Sequence, residues 1–146
     1  MRQSTPRRRR TERGASAVEF ALVVLPLLAI VFAIVNFAVV FAQQLALDNA
    51  IRAGARAGVV DTGRVPGTVA TTEFENTALA RSLAGSVTVT YPGAVGSTCK
   101  GSAFGQSLVV RGTVSTTFLL PWPLPDSVMP QTLNLSSQAE FQCEYQ

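Results

Sequence analysis

The chain has 146 residues, 47% of them hydrophobic and 14% charged, a formal charge of +3 at pH 7, two cysteines and no histidine. Lack of histidine removes the commonest general base and the commonest metal ligand, and the two cysteines are too few for a structural zinc site. No GxSxG elbow, phosphate loop or CxxC pair occurs, so nothing in the sequence points to an enzyme, a cofactor or a metal.

The first segment is basic. Arg2, Arg7, Arg8, Arg9, Arg10 and Arg13 precede Gly14 against the single acid Glu12, while the rest of the chain is slightly acidic. The positive charge belongs to a short tail and is no argument for a nucleic-acid partner. From Phe20 to Ala42 there is no charged residue, and only Pro26 and Asn36 interrupt a run of Leu, Val, Ile, Phe and Ala. As a helix this run rises roughly 35 Å, against about 30 Å for the hydrocarbon of a bilayer. It also exceeds the apolar core of a cleaved secretory signal, about 7 to 15 residues. One transmembrane helix is expected, with the arginines on the cytoplasmic side and the chain after Ala42 on the other. Pro26 has no amide hydrogen for the carbonyl of Leu22, which predicts a kink or a loosened turn there. Asn36 has two uses open to it, a hydrogen bond across an interhelical contact or one to a backbone carbonyl.

After Ala42 the sequence QQLALDNAIRAGARAGVV is amphipathic and free of helix breakers, so the helix should continue as a stalk to near Val60. Ala46, Ala50, Gly54 and Gly58 recur every four residues and form a smooth stripe, suited either to another backbone or to the chain's own distal domain. Asp48 and Arg52 stand in the favourable acid-first spacing for an ion pair.

Glu19 is the one acid in the membrane-entering segment, and a carboxylate in hydrocarbon costs about 3 kcal/mol on insertion scales unless it finds a partner, water or a proton; the residues alone leave open an interfacial acid that stays wet at the cytoplasmic edge. The stretch Gly14-Ala15-Ser16-Ala17-Val18-Glu19-Phe20, after arginines and before an apolar helix, resembles the processing site of the type IV pilin superfamily. The continuation AVEFALVVLPLL and the later AIRAGARAGVV at residues 50–60 are similar to the TadE/TadG-like pseudopilins of tight-adherence (Tad) pilus systems. The resemblance covers the first 60 residues or so. It implies that a prepilin peptidase cuts after Gly14, so that Ala15 begins the mature chain and Glu19 is its fifth residue. Residues four apart share a helix face, so the new α-amino group of Ala15 could meet Glu19 in its own chain or in a neighbour. The resemblance favours the neighbour and gives Glu19 and Phe20 a role in assembly register. Its implied partners are the membrane, other pilin or pseudopilin subunits, the pilus assembly machinery and the peptidase. The implied place is the bacterial inner membrane, spanned once, with the N-terminus cytoplasmic.

The distal part changes character. DTGRVPGT at residues 61–68 carries turn formers and reads as a hinge, and TTEFENTALARSLAG at 71–85 reads as a short helix with Phe74, Ala78, Leu79 and Leu83 on one face. Three alternating runs follow: Val87, Val89 and Tyr91; Leu108, Val110, Val114 and Phe118; Leu133, Leu135, Ala139 and Phe141. They predict a small antiparallel sheet with one face covered. The proline-rich PWPLPDSVMP cannot be a central strand, and Trp122 with its prolines is expected to cap the sheet edge. Cys143 continues the inward phase of the last strand, and Cys99 lies in the loop GAVGSTCKGSAFG. A disulfide between them, formed in an oxidising compartment, would stabilise the domain by about 4 kcal/mol.

The expected class is therefore α+β, with a basic leader (1–14), a transmembrane and stalk helix (15–60) and an extracytoplasmic α+β domain (61–146). The expected function is that of a minor pilin-like subunit; the alternative is a signal-anchored extracytoplasmic binding module outside any filament.

Overall fold

The computed structural model describes residues 9–60, 63–77, 83–121, 125, 127–128 and 130–143, with side chains from Gly14 onward. In chain order they form α1 (Arg9–Val59), α2 (Pro66–Glu75), β1 (Thr88–Thr90), β2 (Ser107–Thr117) and β3 (Thr132–Gln142), an α+β arrangement as expected. The chain divides into two compact units, Met1–Val35 and Asn36–Gln146.

In the first unit the described residues are all helix. Apolar side chains face outward throughout, among them Phe20, Leu22, Val23, Leu25 and Ile30. The most apolar stretch of α1 is 6% buried within the chain, whereas a core helix of a water-soluble domain would hide that surface. Helix assignment runs unbroken through Pro26. From Ala15 to Val35 the helix rises roughly 31 Å, about the thickness of a bilayer's hydrocarbon. Among the described residues α1 is the one helix long and apolar enough to cross a membrane.

The second unit packs the remainder of α1 and α2 on one face of the sheet. Strand order is β1-β2-β3, all antiparallel, and β2 pairs with β3 without a bulge from Ser107↔Gln142 to Thr117↔Thr132. The period-two alternation sends Leu108, Val110 and Val114 inward from β2, and Leu135 and Ala139 from β3. They meet Leu47, Ala50, Ile51 and Ala55 of α1 and Ala70 and Phe74 of α2. Gly112 sits inward where a Cβ would overlap the side chain of Ile51, so the helix rests directly on strand backbone. Phe118, half-buried, continues the inward phase just past β2 and donates its amide to the Gln131 carbonyl at 3.3 Å.

Two expectations shift. The second helix starts at Pro66, inside the stretch read as a hinge, because proline at the first helical position has its φ already set and lacks only an amide that would be unbonded anyway. It ends at Glu75; Leu83 is again helical, and directly after it Ala84 bridges Thr116 of β2 and the Gly85 amide meets the Ser115 carbonyl at 2.8 Å. Ala78 and Leu79, expected on the helix face, and Trp122, expected at the sheet edge, lie outside the described residues. Tyr91 secures the start of α2 by accepting the Gly67 amide at 2.9 Å.

Cys99 and Cys143 form a disulfide with their Cα atoms 5.5 Å apart. The Cys143 amide bonds the Gln106 carbonyl at 2.9 Å and the Cys99 amide bonds the Gly58 carbonyl at 3.1 Å. The covalent link thus joins the end of β3 to the loop before β2, and a backbone hydrogen bond ties that loop to the last turn of α1.

Candidate functional site

Two stretches of α1 carry the residues singled out from the sequence. Gly14, Ala15, Glu19, Phe20 and Pro26 fall in the first unit; Ala46, Ala50, Gly54 and Gly58, with Cys99 and Cys143, fall in the second.

In the first stretch Gly14, Ala15, Glu19 and Phe20 are all helical and exposed. Beyond its chain neighbours and the backbone of its own helix, nothing comes within 4 Å of where a Gly14 Cβ would stand. Ala15 and Glu19 are one turn apart on a shared face, and Glu19 stands between Val18 and Phe20, which are 61% and 69% exposed. A carboxylate here lies on an uncovered apolar surface. That surface suits lipid or another apolar helix, and in either setting the carboxylate calls for a cation from elsewhere.

The second stretch begins at Asn36. Its carboxamide makes a reciprocal pair with the backbone of Leu120, the Asn36 Nδ2 donating to the carbonyl and the Leu120 amide donating to Asn36 Oδ1, both at 3.0 Å. Of the two uses open to Asn36, the backbone one is realised, and within its own domain. Farther along, Gln43 is fully buried and accepts the hydroxyl of the equally buried Thr116. Gln44 reaches the Ser136 carbonyl at 3.0 Å and Asp48 at 3.1 Å. Asp48 therefore receives an amide, and no ion pair joins it to Arg52 among the described residues. Ala50, Gly54 and Gly58 lie buried in the seam against α2 and β2, with Ala46 half-buried at its rim. At Gly54 an added Cβ would stand 2.6 Å from the Pro66 carbonyl oxygen, and at Gly58 it would stand 2.8 Å from Pro66 Cγ.

Sequence reading passed over Gln43 and Gln44. The usable signal was the spacing of Asn36, Gln43, Leu47, Ala50 and Gly54, whose intervals of seven, four, three and four residues put polar and apolar residues on one helix face. Replacing Asn36 by Ala would strand the Leu120 amide and carbonyl. Unfolding of the full chain in detergent, followed by circular dichroism, should show a loss of about 1–3 kcal/mol. Phe37→Ala, at a position 67% exposed, should stay within about 0.5 kcal/mol of the parent.

Among the described residues no group of three or more His, Cys, Asp or Glu side chains is placed to hold a metal. A cleft of about 240 Å³ at the end of α1 is lined by Gly58, Arg64, Ser97, Thr98 and Lys100 among others, with no carboxylate among its lining residues.

No curated protein and no solved structure matches the chain. Residues 14–56 match the family model described as TadE-like protein, a stretch that lies wholly within α1 and leaves the sheet outside it. The TadE-like family is one of pilus-associated structural proteins. On this match, residues 14–56 are similar to a TadE-like segment, and the helix that carries them is long and apolar enough to anchor a chain in a membrane.

Proposed function

We propose that the chain is a minor pilin-like subunit of a tight-adherence pilus, processed by a prepilin peptidase after Gly14. The observation that carries this reading is Glu19: an acid on an uncovered apolar helix, one turn after Ala15, inside the TadE-like segment. Cleavage supplies an ammonium group at Ala15, and pairing it with Glu19 of a neighbouring subunit offsets the cost of the carboxylate in lipid and fixes the register of assembly. Before assembly the subunit sits in the inner membrane with its leader (1–14) cytoplasmic, spans with the first part of the helix (15–60) and displays residues 61–146 outside. The exposed face of α1 beyond Asn36, with Phe37, Phe41 and Leu45, meets neighbouring helices in the filament or its initiating complex.

Co-expression with a prepilin peptidase, followed by intact-mass measurement of the membrane-extracted protein, should give a chain beginning at Ala15. Retention of the arginines in the native host under all conditions would refute processing and leave a signal-anchored binding module. Glu19→Gln should be cut normally, yet its recovery in sheared filaments should fall at least about tenfold, the equivalent of about 1.4 kcal/mol of lost pairing. Undiminished recovery would remove the register role.

A further inference from the structure

Among the described residues no strand covers one long edge of β3, and the alternation of an antiparallel ladder tells which backbone groups that edge presents. The Cys143 amide bonds the Gln106 carbonyl and the Gln131 carbonyl accepts the Phe118 amide, so the odd-numbered residues of β3 turn their N–H and C=O groups toward β2. Thr132, Asn134, Ser136, Gln138, Glu140 and Gln142 turn theirs away. Among the described residues no strand meets them, and Gln44 touches the edge at the Ser136 carbonyl. Proteins usually guard such an edge with proline, a bulge, lysines or a covering segment. Across its eleven residues β3 has no proline, no bulge and one charge, Glu140, already accepting the Ser107 hydroxyl. The other side of β2, by contrast, is lined by β1 and then by Ala84 and Gly85.

We propose that this edge pairs antiparallel with the same edge of a second copy of the chain, joining the two sheets into one. The second copy is chosen because β3 is complementary to itself. About a two-fold axis through Ser137, Thr132 faces Gln142, Asn134 faces Glu140 and Ser136 faces Gln138. Every pair joins residues whose backbone groups point outward, no like charges are opposed, and the one carboxylate meets a carboxamide that can donate to it. The partner's Gln138 amide takes the place of Gln44 at the Ser136 carbonyl. On the inner face the same register sets Leu133, 39% exposed in the single copy, beside the half-buried Phe141 of the other.

The pairing also has a direction. Asn36 lies at Leu120, Gln43 at Thr116 and Gly58 beside Leu108, so this part of α1 runs antiparallel to β2. The two-fold sets the Asn36–Val59 segments of the two copies in opposite directions. The contact joins two separately presented heads and is distinct from the side-by-side packing of parallel helices in the proposed filament.

The test is sedimentation of the full chain in detergent micelles over a range of concentrations. Asn134 is exposed and its amide points away from β2, so substitutions there should leave the circular dichroism of the monomer unchanged. Asn134→Lys sets a cation opposite each Glu140 and should tighten self-association about tenfold; Asn134→Glu opposes like charges and should weaken it about tenfold. Glu140→Lys added to Asn134→Glu should restore pairing. A chain that stays monomeric to about 100 µM overturns the proposal. So does association that responds equally, or not at all, to the two Asn134 variants, which is the behaviour of contacts between apolar helices.

Discussion

Reducing the Cys99–Cys143 disulfide should lower the unfolding free energy of the sheet domain by about 4 kcal/mol, the chain-entropy value for a loop of this size. The bonded residues are 44 apart in sequence, so in the unfolded chain the link removes much conformational freedom. In the folded chain it connects the end of β3 to a loop whose Cys99 amide is bonded to the last turn of α1. A domain of this size has only about 5–15 kcal/mol in total, so the reduced form should melt many degrees lower. Thermal unfolding of the full chain in detergent, with and without reductant, measures this. The Cys99→Ser and Cys143→Ser double variant should match the reduced protein and be insensitive to reductant. A shift below about 1 kcal/mol would mean that the loop is already closed in the unfolded ensemble.

Gly54→Val should cost about 3 kcal/mol, combining overpacking with a β-branched residue in a helix. The first atom the new side chain meets is backbone, the Pro66 carbonyl oxygen 2.6 Å from the Cβ position, and the next is the Cβ of Ala70 at 2.9 Å. Neither can swing aside without moving α2, whose buried Pro66, Ala70 and Phe74 would come away from the core together. Gly112 makes a useful contrast, since the atoms crowding it are the outer carbons of the Ile51 side chain, which can rotate. Urea titration of the full chain in detergent should therefore show Gly112→Ala costing less than Gly54→Val, and Arg52→Val, on the exposed face of α1, losing only helix propensity, about 0.5 kcal/mol.

Some of this architecture is legible in one dimension. An uncharged run longer than a bilayer is thick needs no tertiary information to be read as a helix, because its length and composition already exclude a water-facing surface. Val87, Leu108, Val110, Val114, Leu135 and Ala139 alternate with polar neighbours, and each points inward as alternation requires. The lone pair of cysteines, one in phase with the last strand, likewise leads to the bond that forms. The start of α2 was harder, since Pro66 and Gly67 are turn formers by composition and become a helix N-terminus only when Tyr91 receives the Gly67 amide and Gly54 makes room for Pro66.

What only the folded chain decided is where along the apolar run the chain's own sheet domain begins to cover it. Hydropathy treats Phe20 to Ala42 as one segment. Asn36, Val40 and Gln43 turn toward the sheet domain, while Phe37 and Phe41 on the same turns remain uncovered. Hydrophobicity records that a residue leaves water and is silent on whether lipid, a neighbouring helix or the chain's own sheet receives it. Sequence by itself determined the helix, the acid placed one turn after Ala15, the inward face of each strand and the cysteine pair. The partners of Asn36 and Gln43 and the reach of Gln44 to Ser136 follow from contacts between residues many tens of positions apart, and the crowding at Gly54 from the fold-back of α2, none of which a local periodicity encodes.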